Sequence, residues 1–165
     1  MPNNIYSDLK NKLYFILYVQ SMLEKIKEAV FAKYKKEDIY WIFLSVFDEN
    51  NKMLMSNGVF YTDKVLDNIL DTLYHWLVEK YKDISSIIVD LIIDTQEITD
   101  TTKINDISMV EYWLAVITGD KYWVLLPNTA WISNWIQALQ LIKQKDQLEW
   151  NAQIIKFHTD RILIK

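Results

Sequence analysis

Residues 39–61 read Ile39-Tyr40-Trp41-Ile42-Phe43-Leu44-Ser45-Val46-Phe47, then Asp48-Glu49-Asn50-Asn51, then Lys52-Met53-Leu54-Met55-Ser56-Asn57-Gly58-Val59-Phe60-Tyr61. The first block is crowded with β-branched and aromatic side chains and has no helical period, which predicts a buried strand over Ile39–Phe47. Asp and Asn satisfy their own backbone and tolerate left-handed angles, so Asp48–Asn51 reads as a turn. Lys52–Tyr61 is then the returning strand, with a bulge or bend at Ser56-Asn57-Gly58. A hairpin of this kind sets antiparallel pairing and excludes an all-helical bundle.

Upstream, Leu9, Leu13, Ile16, Leu17, Leu23, Ile26 and Val30 recur at three- and four-residue spacing and predict one long helix over Asn4–Lys33. Lys33, Lys35 and Lys36 suit the negative pole at its end. Downstream, Thr62 or Asp63 is the expected cap of a second helix carrying Leu66, Ile69, Leu70, Leu73 and Leu77. A third strand is expected over Ser85–Asp94, followed by a polar surface connection over Gln96–Ser108. Trp113–Thr118 and Tyr122–Leu126 flank Gly119-Asp120 and predict a second hairpin, with Gly119 at the position needing positive φ. Pro127-Asn128-Thr129 ends that strand and opens a third helix through Ile132, Trp135, Ile136, Leu139 and Ile142. Gln153–Phe157 is a closing strand that Arg161–Ile164 extends.

The order helix, hairpin, helix, strand, hairpin, helix, strand predicts an α+β fold: a mostly antiparallel sheet with about three helices, in one domain over residues 1–165. The 165 residues, 51% apolar and 24% charged, supply a core that needs no staple. The chain has no cysteine, which excludes a disulfide framework, a thiolate nucleophile and a zinc ribbon. A net charge of −4 disfavours a nucleic-acid partner. The N-terminus lacks the basic-then-apolar order of a signal peptide, and the longest apolar run, Leu13–Val19, is too short to span a bilayer. The expectation is a cytoplasmic protein without a membrane partner.

The usual constellations of catalysis are missing from the sequence. His75 and His158 lack a second histidine or carboxylate at the helical spacing of a zinc site. Asp90 and Asp94 share a strand face, and a polar edge or solvent face is the expected setting for them. Two distant glycines cannot build a phosphate loop, and no Gly-x-Ser-x-Gly elbow occurs. No catalytic residue, metal ligand or cofactor is therefore assigned. Tyr40, Trp41, Tyr122 and Trp123 are expected on strands, where they serve the core or, as an alternative, stack single-stranded bases.

Three strings resemble the AMMECR domain family. Trp41-Ile42-Phe43-Leu44-Ser45-Val46 is similar to its Gly-Val-Phe-Val-Thr-Leu strand, and Ser86-Ile87-Ile88-Val89-Asp90-Leu91-Ile92 to its Ile-Glu-Val-Ser-Val-Leu strand. Trp123-Val124-Leu125-Leu126-Pro127 resembles its Gly-Leu-Phe-Leu-Pro segment. The family signature Leu-Arg-Gly-Cys-Ile-Gly falls on Met53-Leu54-Met55-Ser56-Asn57-Gly58, keeping only the last glycine and setting Ser56 where the cysteine would be. The resemblance implies a compact α+β domain acting as a non-enzymatic binding or scaffold module. Its ligand, a protein or a small molecule, is expected near Ser56, Asn57, Gly58, Pro127 and Asn128. The alternative is an enzyme whose polar groups (Ser56, Asn57, Asn128 and Asp90 or Asp94) converge only on folding. The alignment also sets Trp41, Trp113 and Trp123 on family glycines. Three glycine-to-tryptophan coincidences would overpack the fold, which suggests UGA codons read as glycine in the source; such tryptophans should be exposed or badly packed.

Overall fold

The computed structural model describes residues 3–81, 84–119, 121–126, 132–146 and 152–165. Along the chain run α1 (Asn3–Phe31), β1 (Ile42–Phe47), β2 (Met53–Val59), α2 (Leu66–Lys80), β3 (Ser86–Glu97), a 3-10 helix (Thr101–Asp106), β4 (Trp113–Thr118), β5 (Lys121–Leu125), α3 (Trp135–Asp146) and β6 (Gln153–Ile164). The strands hydrogen-bond in the order β2-β1-β3-β6-β4-β5, and β1–β2, β1–β3, β4–β5 and β4–β6 are antiparallel. The fold is α+β, as the element order predicted. Contacts fall into two compact units, Met1–Leu91 with Arg161–Lys165, and Ile92–Asp160; β3 and β6 each contribute to both.

In the first unit, alternation along the strands sends Ile42, Leu44, Val46, Ile87, Val89 and Leu91 to one face. There they bury against Met22, Leu23, Ile26 and Val30 of α1 and Leu66, Ile69, Leu70, Leu73 and Leu77 of α2. In the second unit, Leu114 and Ile154 pack with Trp135 and Ala138 of α3 and with Ile104 of the 3-10 helix. The Trp135 indole N–H donates to the Ile107 carbonyl at 2.9 Å, so its buried polar edge is satisfied.

Both predicted turns form. The Asp48 carboxylate accepts from the backbone N–H groups of Asn50 and Lys52, and Asn51 takes φ 59°. Gly119 has φ 58°. Several local expectations need correction. The irregularity in the first hairpin lies at Leu54, skipped between the pairs Val46–Met55 and Phe47–Met53, whereas Ser56, Asn57 and Gly58 pair regularly with Ser45, Leu44 and Phe43. Neither Thr62 nor Asp63 caps α2: the N-cap is Val65, and the Leu66 and Asp67 N–H groups donate to the carbonyls of Asp38 and Lys36. The loop before β1 does the capping that a side chain was expected to do. β3 runs on to Glu97, the following polar stretch coils into the 3-10 helix, and β6 is one uninterrupted strand.

Candidate functional site

The expected site at β2 divides across the sheet. Gly58, Phe43 and Asp90 lie directly opposite one another on β2, β1 and β3 and so share a face, with Ser56, Ser45 and Ile88 in the next such row. Asn57 alternates to the other face, where its side-chain amide oxygen Oδ1 accepts from the Gly58 N–H. The Ser45 hydroxyl donates to Ser56 Oγ at 2.8 Å. Pro127 and Asn128 lie outside the described residues. Gly58 has a steric reason to be glycine: a Cβ there would stand 2.2 Å from the Phe43 ring and 2.6 Å from the Ile42 carbonyl oxygen. Gly58 thus lets an aromatic ring lie against the strand rather than turning a bend.

Asp90 does not sit on a solvent face. It is 1% exposed, and the chain's one arginine binds it in fork geometry, Arg161 Nε donating to Oδ1 at 2.8 Å and Nη2 to Oδ2 at 3.1 Å. That hydrogen bonding, opposed by partial burial and aided by the carboxylate charge, raises the Arg161 pKa. Both carboxylate oxygens are occupied, so Asp90 is poorly placed to act as a base toward Ser56. Asp94 is exposed, with its carboxylate 3.9 Å from His158 Nδ1. The His158 ring stacks on Tyr112 at 4.1 Å. Among the described residues no three His, Asp or Glu side chains gather as metal ligands.

Within each unit the aromatic residues expected on strands are placed differently from a stacking platform. Tyr40 and Trp41 precede β1 instead of lying on it, because Tyr40 turns edge-on to Tyr34 at 5.0 Å and Trp41 packs on Phe60 and Tyr61 at 4.7 and 4.6 Å. Tyr122 and Trp123 are successive residues of β5 and point to opposite faces. Trp113 is 4% exposed and its ring lies 5.7 Å from that of Phe157. Trp123 is half-buried.

The larger feature lies between α1 and α2, where the sequence had given no signal of a site. A groove of about 440 Å³ has an apolar wall of Phe15, Ile16, Val19 and Leu23 on α1 and a polar edge with Asp71 and His75 of α2. At one end Lys27 ties the helices together, its Nζ 2.6 Å from Asp67 and 2.7 Å from Asp71. Burial works against the Lys27 charge, but the hydrogen bonds and charges of the two aspartates prevail and raise its pKa. In and around the groove, Leu13, Tyr14, Phe15, Ile16, Leu17 and Tyr18 are all exposed large hydrophobics. The spacing of Asp67 and Asp71 along α2 could have marked the clamp. The exposure of Ile16 could not be read from spacing, because Ile16, Val19 and Leu23 continue one stripe into the buried part of the helix, while Leu13 and Leu17 turn away from it.

A crystal structure of an uncharacterized protein from Pyrococcus horikoshii (PH0010) superposes with a TM-score of 0.63 at 12% identity, covering 92% of this chain and 89% of that one. The likeness carries the fold alone. No protein-family model and no curated protein matches the chain. Among the described residues, no helix is long and apolar enough to cross a membrane.

Proposed function

We propose that this chain is a non-enzymatic binding module of the type that the AMMECR resemblance implies, and that it docks apolar surface on α1 and in the groove beside it. The carrying observation is the run Leu13–Tyr18, six large hydrophobic side chains in water on a helix whose next two turns are core. Contiguous apolar exposure of this kind marks interaction surfaces. The groove adds concavity and a charged edge, the usual mixture at a binding site. Ser56–Gly58, the surface expected from the signature, stands second in this reading, since pairing with Ser45 and Phe43 accounts for Ser56 and Gly58.

A thermal-shift screen of amphipathic peptides and small apolar ligands tests the proposal. Ligands should raise the melting temperature of the native chain and lose that effect when Phe15 and Val19 are both changed to Asp. Turnover of any substrate that depends on Ser56 would overturn it. The enzyme alternative draws support from one fact, that Ser45, Ser56 and Asp90 share a sheet face. Asn57 on the opposite face and Arg161 on both oxygens of Asp90 weigh against it. The glycine-codon reading of Trp41, Trp113 and Trp123 belongs here too, with the buried ring of Trp113 weighing against it. UGG at the three positions of the gene disposes of it.

A further inference from the structure

We infer that the outward face of α1 is a self-association surface, on which a second copy of this chain docks antiparallel about a two-fold axis near Leu17. The inference rests on the binding-module reading and names its partner. At 100° per residue, Leu17 lies roughly 120° or more around α1 from Met22, Leu23, Ile26 and Val30, which enter the core, and Leu13 flanks Leu17 on that outward side. Leu13 is 58% exposed, Tyr14 63% and Leu17 54%, so this apolar face is not covered by the chain's own α2 or sheet. Along the same azimuth stand Lys10 toward the N-terminus and Glu24 toward the C-terminus, at equal sequence distance from Leu17. The face therefore reads cation, apolar centre, anion, with Ser21 as a small side chain between Leu17 and Glu24.

That order makes the face its own complement. Reversing one helix against another about Leu17 brings Lys10 of each copy to Glu24 of the other, roughly 10 Å either side of the axis, while Leu17 meets Leu17 on the axis and Leu13 of each copy covers the small Ser21 of the other. A two-fold contact repeats every pairing, so both charge contacts form together. Parallel stacking would set Lys10 on Lys10 and Glu24 on Glu24 and is disfavoured. Among the described residues Glu24 has no ion pair, and Lys10 contacts only the Tyr14 ring, 5.9 Å from its centroid. One helix pair gives a small interface, so the dimer should exchange with monomer as concentration falls.

Analytical ultracentrifugation of the full chain over a concentration series tests this. The native chain should show a monomer–dimer equilibrium. Leu17→Asp should be monomeric with an unchanged circular-dichroism spectrum. Lys10→Glu and Glu24→Lys should each weaken the dimer roughly tenfold, since each reversal acts at both symmetry-related contacts, and the two together should restore it. A chain that is monomeric throughout, a dimer indifferent to Leu17→Asp, or reversals whose combination fails to restore association would overturn the inference. Binding of the native monomer to anionic lipid vesicles through Leu17 would assign the face to a membrane surface and overturn it as well. A monomer whose groove still takes apolar ligands would sink the dimer and leave the binding module standing.

Discussion

The two halves of α1 have the same kind of sequence and opposite fates. Met22, Leu23, Ile26 and Val30 are buried to 8% exposure or less among α2 and the sheet, while Leu13, Ile16 and Leu17 are each more than half exposed. Intrinsic helix preference does not separate them, since Leu and Ile serve both. What separates them is a partner: α2, β1 and β3 pack against the second half, whereas beside Phe15 and Ile16 α2 leaves an open groove. The Tyr18 hydroxyl tethers the first half by donating to the Ile84 carbonyl at 2.9 Å. Apolar periodicity thus tells which side chains seek burial. It does not tell whether the same chain buries them.

The largest effect that could break this comparison comes from truncating one residue of each half. Ile26, fully buried, should cost about 3 kcal/mol when changed to Ala, from lost transfer energy and the cavity left behind. Leu17→Ala should stay within about 0.5 kcal/mol, as for other surface positions. Chemical denaturation, run dilute enough that the chain is monomeric, measures both. Equal costs would mean that the first half packs on its own chain after all.

A smaller effect sharpens where the buried half is anchored. The Lys27 ammonium is 18% exposed and its two carboxylate partners 37% and 41%, so screening limits each pair to at most about 1 kcal/mol. Lys27→Met should cost about 1–2 kcal/mol, part of it from Asp67 and Asp71 left facing each other one helical turn apart. Because folding raises the Lys27 pKa above its usual 10.5, the clamp is fully present below that pH and is lost as pH climbs through the folded value. The gap between native and Lys27→Met chains should be flat from pH 7 to 10 and close above that. A gap that varied across the neutral range would point to some other titrating group.

Legibility in the sequence followed the range of the interaction. The Asp48–Asn51 turn and Gly119 are decided by a residue's own backbone, and both were readable. Failures came where a distant group took over. Val65 ends up as the α2 cap because carbonyls of Asp38 and Lys36 reach its first N–H groups, and no local motif announces that. Asp90 read as solvent-facing since its partner, Arg161, is supplied by the last strand of the chain. Gly58 was taken for a bend when it is the close approach of Phe43 that excludes a side chain. In the candidate groove, Lys27 meets Asp71 across two helices, a pairing that neither helix's own periodicity announces.

The smallest predicted effect probes the boundary between the two halves of α1. Tyr74 on α2 is 1% exposed, and its hydroxyl is buried with no hydrogen-bond partner among the described residues. Burial, with the Tyr18 phenol as a second cause, pushes its pKa well above 10. A buried hydroxyl without a partner forfeits its hydration for nothing, so Tyr74→Phe should be neutral or stabilise by up to about 1 kcal/mol at pH 7. Above pH 10 the gain should grow, because the unfolded chain then releases the Tyr74 proton while the folded chain holds it, and only the native tyrosine carries that alkaline penalty. A loss of stability on Tyr74→Phe would show instead that the hydroxyl is hydrogen-bonded, with water as the available partner. Water at that position would move the limit of the dry core inward from Tyr18, and the exposed half of α1 would then begin a turn nearer Met22.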